Sequence, residues 1–134
     1  MSKILVTGGL GFVGSHLVDS LVSKGHDITV VDNLCSESSN MYHEYDISSP
    51  HLLGIYVDHN TYPAWRELDF DLVFHLAALA RIQPSFKDPL SYLSTDIMGT
   101  ASVLDYARRQ NAKVVYAGSS SAFAGPMLNP YAFA

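Results

Sequence analysis

Three glycines spaced three residues apart, Gly8, Gly11 and Gly14, lie between a short apolar run and an amphipathic segment. A pyrophosphate group needs such a turn. Gly8 permits a sharp bend, Gly11 lets backbone N–H groups approach phosphate, and Gly14 allows close helix packing. The phosphate would lie at the positive end of the following helix, near Phe12 and Val13. The alternative is a turn with a purely structural role.

An acidic residue, Asp32, ends the second apolar run about 20 residues after the glycine turn, as dinucleotide sites require. Its carboxylate could accept hydrogen bonds from both hydroxyls of an adenosine ribose and would repel a 2′-phosphate. No arginine follows in Asn33-Leu34-Cys35, so the sequence favours NAD over NADP, with Asn33 as a neighbouring contact. The alternative role for Asp32 is to cap a turn or helix.

Two further segments are candidates for contacts with the cofactor. Asp46 and Ile47 end a plausible third strand at Met41–Ile47 and could flank the adenine ring; Asp58 is the rival position. Small residues after a fourth apolar run would let a dinucleotide pass close to the backbone. The candidates in that segment are Leu76, Ala77, Ala78 and Ala80.

No metal centre is expected. His75 lies in an apolar run and is interpreted as a hydrogen-bonded core histidine. The histidines show no metal-ligand spacing, and one cysteine cannot build a zinc site. Cys35 is the only cysteine, which excludes an intrachain disulfide and fits a reducing, cytoplasmic location.

Composition narrows the class of protein further. A length of 134 residues suits one domain, and 48% hydrophobic residues can supply a core. The net charge of -5, without a basic patch, argues against nucleic acid as a partner. No apolar run is long enough to span a membrane, so a membrane is not expected to be a partner either.

Hydrophobic periodicity predicts strands that alternate with helices, and therefore a parallel sheet. The expected fold class is α/β, a Rossmann-type doubly wound parallel sheet of about five strands covering residues 1–134. The predicted strands are Lys3–Thr7, Asp27–Asp32, Met41–Ile47, Asp71–Leu76 and Lys113–Ala117. The predicted helices are Gly11–Lys24 and a long helix from Pro89 to about Gln110. Residues 118–130 are predicted to be loop.

Taken together, these segments resemble a known family, the extended short-chain dehydrogenase/reductases, specifically the NAD-dependent nucleotide-sugar epimerases and dehydratases. The resemblance runs over nearly the whole chain. Its motifs are Thr7-Gly8-Gly9-Leu10-Gly11-Phe12-Val13-Gly14, Asp32-Asn33-Leu34, His75-Leu76-Ala77-Ala78, Asp96-Ile97-Met98-Gly99-Thr100, Val114-Val115-Tyr116-Ala117-Gly118-Ser119-Ser120-Ser121 and Pro130-Tyr131-Ala132-Phe133-Ala134.

The resemblance implies that Tyr131 is the general base and Ser119, or alternatively Ser120, is the serine that bonds the same substrate oxygen. The base takes a proton from a sugar hydroxyl while hydride passes to NAD. A lysine four residues after the tyrosine lowers the pKa of the phenol in the family. That lysine would be one position beyond Ala134, so we expect an incomplete chain that lacks the C-terminal substrate lobe.

The resemblance also implies a homodimer formed through the helix that begins near Pro89. On that helix, Tyr92, Met98 and Tyr106 lie off the predicted apolar stripe and could face a partner. The family usually has asparagine where this chain has Asp96, a difference that could alter local geometry or cofactor affinity. Arg81 and Ser85 lie where the family often contacts its nucleotide-sugar substrate.

Two other functions stay open at this point. One is a non-catalytic dinucleotide-binding module or an inactive fragment. The other is an NADPH-dependent carbonyl reductase of the same superfamily, against which Asp32 argues.

Overall fold

A computed structural model describes residues 1–35, 44–57, 64–125 and 128–134 of the chain. It contains five strands, β1 to β5: Lys3–Thr7, Asp27–Asp32, Leu52–Val57, Leu72–His75 and Lys113–Tyr116. The α-helices α1 to α6 are Phe12–Ser23, Ile82–Lys87, Pro89–Tyr92, Gly99–Gln110, Ser121–Ala124 and Pro130–Phe133. A 3₁₀ turn spans Ala64–Glu67, and a π-helical stretch spans Leu93–Met98.

The five strands form one sheet in the order β3-β2-β1-β4-β5, and every neighbouring pair is parallel. The chain moves outward from β1 to β3 on one side and then from β4 to β5 on the other. This reversal between β1 and β4 opens a crevice beyond the carboxyl ends of the strands, where open α/β sheets bind their ligands. The Rossmann-type parallel sheet is therefore confirmed.

The core has one layer on each face of the sheet, because successive strand residues point to opposite faces. In β1, Leu5 points to one face, where it belongs to a cluster with Trp65 and Tyr106. Ile4 and Val6 point to the other face and pack with Val18 of α1. Both faces of the central strand are covered by side chains, as expected for a parallel sheet.

The third strand is not where the sequence predicted it. Residues 44–47, the described end of the proposed Met41–Ile47 strand, are not in a strand, and β3 begins at Leu52 instead. Asp46 and Ile47 therefore precede β3 rather than ending a strand, so the predicted Met41–Ile47 strand is wrong, while their contact with the adenine ring stays a prediction. Ile47 is 82% exposed. The rival, Asp58, falls outside the described residues.

The long helix from Pro89 is interrupted. Between α3 and α4 the π-helical stretch Leu93–Met98 adds a residue to the turn and shifts the phase of everything that follows. As a result Leu104 of α4 is 51% exposed. Tyr92 and Tyr106, expected to face a partner, are 5% and 1% exposed. The prediction for these two tyrosines is therefore wrong.

A buried histidine links β4 to β1 and to α4. His75 lies 2.7 Å from the Thr7 hydroxyl of β1 through Nδ1 and 2.9 Å from the Thr100 hydroxyl of α4 through Nε2. Burial lowers the pKa of the imidazole, so the neutral ring is favoured. The interpretation of His75 as a hydrogen-bonded core residue is confirmed.

Acid should weaken the fold through this histidine. Above its ordinary pKa of about 6.5, His75 is neutral in both states and its hydrogen bonds contribute fully. Below that pH the unfolded imidazole binds a proton before the folded one does, so stability falls by at most about 1.4 kcal/mol per pH unit. Urea unfolding at pH 7.5 and 5.5 should show a smaller loss for His75→Gln than for the unmodified chain. His16→Gln, on the exposed face of α1, is the control.

Candidate functional site

Close packing around the turn at the end of β1 leaves no room for a side chain at two of its glycines. Gly8 has a φ of +72°, and its N–H donates to the Val31 carbonyl at 2.8 Å. A Cβ on Gly8 would lie 2.8 Å from the backbone nitrogen of Ala77. A Cβ on Gly14 would lie 2.2 Å from the Gly8 carbonyl oxygen. Gly14 therefore lets α1 approach the turn itself, which refines the expected role in helix–sheet packing.

Glycine is required at positions 9 and 11 for different reasons. A Cβ on Gly9 would lie 2.6 Å from Val30 Cγ1, so Gly9 is needed for the loop to rest on β2. Sequence reasoning did not single it out, although a fourth glycine stands in the motif. A Cβ on Gly11 would meet protein only at the Gly8 carbonyl, 3.3 Å away. Gly11 is exposed and lines a cavity, so its missing side chain leaves room for a ligand.

The acidic residue at the end of β2 fixes the loops on either side of it. One Asp32 oxygen accepts from the Leu10 backbone N–H at 3.0 Å, and the other accepts from Leu34 N–H at 2.9 Å. A carboxylate oxygen has a second lone pair, so both oxygens retain an acceptor site. Asp32 is half-buried at the crevice, which suits a residue that binds ribose hydroxyls.

A cavity of about 330 Å³ lies against the glycine turn; we call it the adenosine-side cavity. Its walls come from the ends of β1, β2 and β4 and from the helix above them. The lining residues at the strand ends are Thr7, Gly8, Gly11, Val31, Asp32, Asn33, Cys35, His75, Leu76, Ala77 and Ala78. Gly8, Gly11, Asp32, Asn33, Leu76, Ala77 and Ala78 among them were predicted from the sequence.

Arg66 and Trp65 also line this cavity, and sequence reasoning missed them. The Arg66 guanidinium lies 5.4 Å from the centroid of the Trp65 ring and donates to the Ser102 hydroxyl of α4. The absence of an arginine beside Asn33 was one argument against NADP, but the fold brings a guanidinium to the cavity from a distant segment. A lone arginine in an irregular segment gives no sequence signal of this placement.

A second cavity, of about 310 Å³, lies beyond the end of β5; we call it the serine–tyrosine cavity. Ser119 and Tyr131 both line it, although 12 positions separate them in the sequence. Ser119 accepts from the Ser121 backbone N–H at 3.2 Å, while Ser120 is exposed and absent from the lining. Placement therefore favours Ser119 over Ser120 as the serine of the site.

Tyr131 is positioned by the cap of its helix and by two contacts of its own. Asn129 caps α6 by accepting from the Ala132 N–H at 2.8 Å. The backbone N–H of Tyr131 donates to the hydroxyl of Ser85, which is fully buried, at 3.2 Å. The Tyr131 ring meets Tyr92 edge-on, with centroids 6.4 Å apart. Ser85 therefore supports the helix that carries Tyr131 rather than facing a substrate, and the predicted loop in 118–130 contains α5 instead.

The two cavities share one wall, formed by His75, Leu76, Ala77 and Ala78 at the end of β4. Asp96 lines the serine–tyrosine cavity from the π-helical stretch, and its carboxylate accepts from the Leu79 N–H at 2.8 Å. Burial raises the pKa of Asp96, and the bond from Leu79 opposes that shift. The ends of β1, β2, β4 and β5 thus form one continuous site with two halves.

Some predicted contacts lie apart from both cavities. Phe12 and Val13 are 78% and 66% exposed, and Ala80 is exposed as well. None of the three is among the described lining residues. The backbone N–H groups of Phe12 and Val13 belong to the first turn of α1, where N–H groups lack a helical acceptor. Their contact with a phosphate, and that of Ala80 with a cofactor, stay predictions.

The chain matches the model of the NAD dependent epimerase/dehydratase family over residues 4–132. The chain belongs to this family. Among its relatives, a UDP-N-acetyl-alpha-D-glucosaminuronate decarboxylase of Bacillus cytotoxicus is 33% identical over 123 residues, which cover 90% of the chain and 37% of the relative. The resemblance stated from the motifs is therefore confirmed, as is the NAD-dependent class.

Solved structures of the family agree with the fold. A UDP-N-acetylglucosamine 4-epimerase from Methanobrevibacter ruminantium M1, in complex with UDP-N-acetylmuramic acid, matches with a TM-score of 0.78 and 30% identity, covering 98% of this chain and 46% of that one. MoeE5 in complex with UDP-glucuronic acid and NAD matches with a TM-score of 0.77 and 30% identity, covering 98% and 45%. The chain thus spans less than half the length of these family members.

In the described part of the chain, none of the helices combines the length and the hydropathy that a bilayer-spanning segment requires. No group of three or more histidine, cysteine, aspartate or glutamate side chains in the described part of the chain could hold a metal ion.

Proposed function

We propose that this chain is the NAD-binding part of a nucleotide-sugar epimerase, dehydratase or decarboxylase. The observation that carries the proposal is the shared wall at Leu76, Ala77 and Ala78. It joins the cavity of the glycine turn and Asp32 to the cavity of Ser119 and Tyr131. A dinucleotide lying across that wall would place its two ends in the two cavities.

The residues of the adenosine-side cavity fit this cofactor. Gly11 leaves open the space that a Cβ would occupy beside the turn. Asp32 keeps two acceptor sites for ribose hydroxyls, and the first turn of α1 offers N–H groups to the pyrophosphate. NAD, when bound, would supply the acceptor for a hydride from the sugar.

Chemistry in the other cavity depends on Tyr131 and Ser119. The side-chain oxygen of Tyr131 would take the proton from a sugar hydroxyl as the C–H bond at the same carbon breaks. The Ser119 hydroxyl bonds to the substrate oxygen and orients it. Epimerisation, dehydration and decarboxylation can share this oxidation, so these residues do not select among them. The relatives include both a decarboxylase and an epimerase.

The helix from Pro89 remains the proposed homodimer surface, though with different residues. Met98, already predicted, is 65% exposed and stays a candidate for contact, while Leu90 and Leu104, 75% and 51% exposed, replace the two buried tyrosines. Large exposed apolar side chains on one helix suit a partner surface.

Calorimetric titration of the chain with NAD tests the proposal directly. We expect measurable binding, and about tenfold weaker binding for Asp32→Asn, because the amide loses charge-assisted bonds to the ribose. Asp105→Asn, on the exposed face of α4, should bind as the unmodified chain does. Folded protein that gives no heat with NAD or its reduced form would contradict the proposal.

The same titration with NADP tests the alternative of an NADPH-dependent reductase. The carboxylate of Asp32 should make NADP bind more weakly than NAD, and Asp32→Asn should narrow the difference. Tighter binding of NADP than of NAD would favour the reductase instead.

A further inference from the structure

We infer that Asp96 biases this site toward the oxidised form of NAD; the inference rests on the proposed function. It concerns a position where the family, by the resemblance described above, usually has a neutral asparagine. Here the side chain carries a charge into the cavity that Ser119 and Tyr131 line.

The carboxylate is held in place rather than free to turn away. Its Oδ1 atom accepts from the Leu79 backbone N–H at 2.8 Å. The residue belongs to the π-helical stretch Leu93–Met98, which presents it to the cavity rather than to the core. An asparagine side chain could accept the same bond through its oxygen, so the change from amide to carboxylate alters charge more than shape.

The charge has few counter-charges nearby. Among the described residues lining the two cavities, Asp32, Arg66 and Asp96 carry the charged side chains, and Arg66 belongs to the adenosine-side cavity alone. Burial raises the pKa of the Cys35 thiol, the charge of Asp32 adds to that shift, and the charge of Asp96 adds least. Among the described residues that line the serine–tyrosine cavity, Asp96 has the anionic side chain that a bound cation would face.

Oxidised and reduced NAD differ in the charge of the nicotinamide ring. The nicotinamide ring carries a positive charge when oxidised and none when reduced, so a fixed carboxylate stabilises the oxidised form selectively. The unmodified chain should therefore have a larger ratio of Kd for reduced to Kd for oxidised NAD than a chain with a neutral residue at position 96.

The test compares the unmodified chain with Asp96→Asn. Oxidised NAD is titrated by calorimetry and reduced NAD by its own fluorescence. We expect the ratio of the two Kd values to fall about tenfold in Asp96→Asn. Asp105→Asn, the matched change on the exposed face of α4, should leave the ratio unaltered.

The possible outcomes distinguish a failure of the Asp96 inference from a failure of the proposed function. Binding of both forms with an unchanged ratio in Asp96→Asn would overturn the role of Asp96 and leave the proposed function intact. An equal loss of affinity for both forms would likewise reduce Asp96 to a positioning residue. If the unmodified, folded chain bound neither form, the proposed function would fail and this inference with it. Should Asp96→Asn not fold, Asp96→Glu and Asp96→Gln provide a second pair that differs in charge.

Discussion

Gly14→Ala should abolish detectable NAD binding and lower the free energy of unfolding by about 3 kcal/mol. The added Cβ would lie 2.2 Å from the Gly8 carbonyl oxygen and 2.8 Å from the Gly9 Cα. These are backbone atoms of the turn, so no side-chain rotation relieves the overlap, and α1 must move away from the loop. Calorimetric titration with NAD and urea unfolding measure the two effects.

Gly99→Ala is the matched control for stability. A Cβ there meets nothing closer than the Ser94 carbonyl oxygen at 3.9 Å. Because alanine favours helix over glycine by up to about 1 kcal/mol, this variant should be as stable as the unmodified chain or slightly more so. Equal stability of Gly14→Ala and the unmodified chain would show that the turn can relax, and would remove the steric argument.

Tyr131→Phe should lower turnover about a thousandfold in an enzyme built on this chain, while NAD affinity stays within about twofold. The phenylalanine ring keeps the edge-on contact with Tyr92, and the backbone bond to Ser85 does not involve the phenol. The change therefore removes the proposed proton acceptor without removing its support. Turnover is measured after the chain is joined to the C-terminal part of a relative, such as the Bacillus cytotoxicus decarboxylase.

Tyr116→Phe controls for the loss of any hydroxyl group from the same cavity. Tyr116 also lines the serine–tyrosine cavity, where its ring stacks on His75 with centroids 6.5 Å apart. Its turnover should stay within about threefold of the parent enzyme. Comparable losses in both variants would mean that the cavity, and not the Tyr131 phenol, limits the reaction.

The parts of the fold encoded in local pattern were predictable. β1 and β2 have the predicted bounds. Continuous short apolar runs flanked by glycine or polar residues are typical of buried strands in a parallel sheet. β3 was not predicted because Gly54 breaks its short apolar run and its side chains at the sheet edge are only partly covered. Leu53 and Ile55 are 54% and 36% exposed, and Gly54 interrupts the apolar pattern, so only the pairing with β2 defines this strand.

The site divides in the same way. Gly8, Gly11 and Asp32 follow a spacing that the chemistry of a dinucleotide imposes, and they were found from the sequence alone. Arg66 reaches the cavity through its contacts with Trp65 and Ser102, which depend on how the chain returns over the sheet. The support of Tyr131 by Ser85 spans 46 positions and has no local signature either.

The π-helical stretch Leu93–Met98 has a consequence for how the family can change by insertion and deletion. Removing one residue there would let the segment close into regular α-helix, since each residue turns such a helix by about 100°. Either Asp96 or the face of α4 that covers Trp65 would then rotate out of place. A homologue that lacks one residue in this stretch should therefore carry compensating substitutions on one side of the deletion.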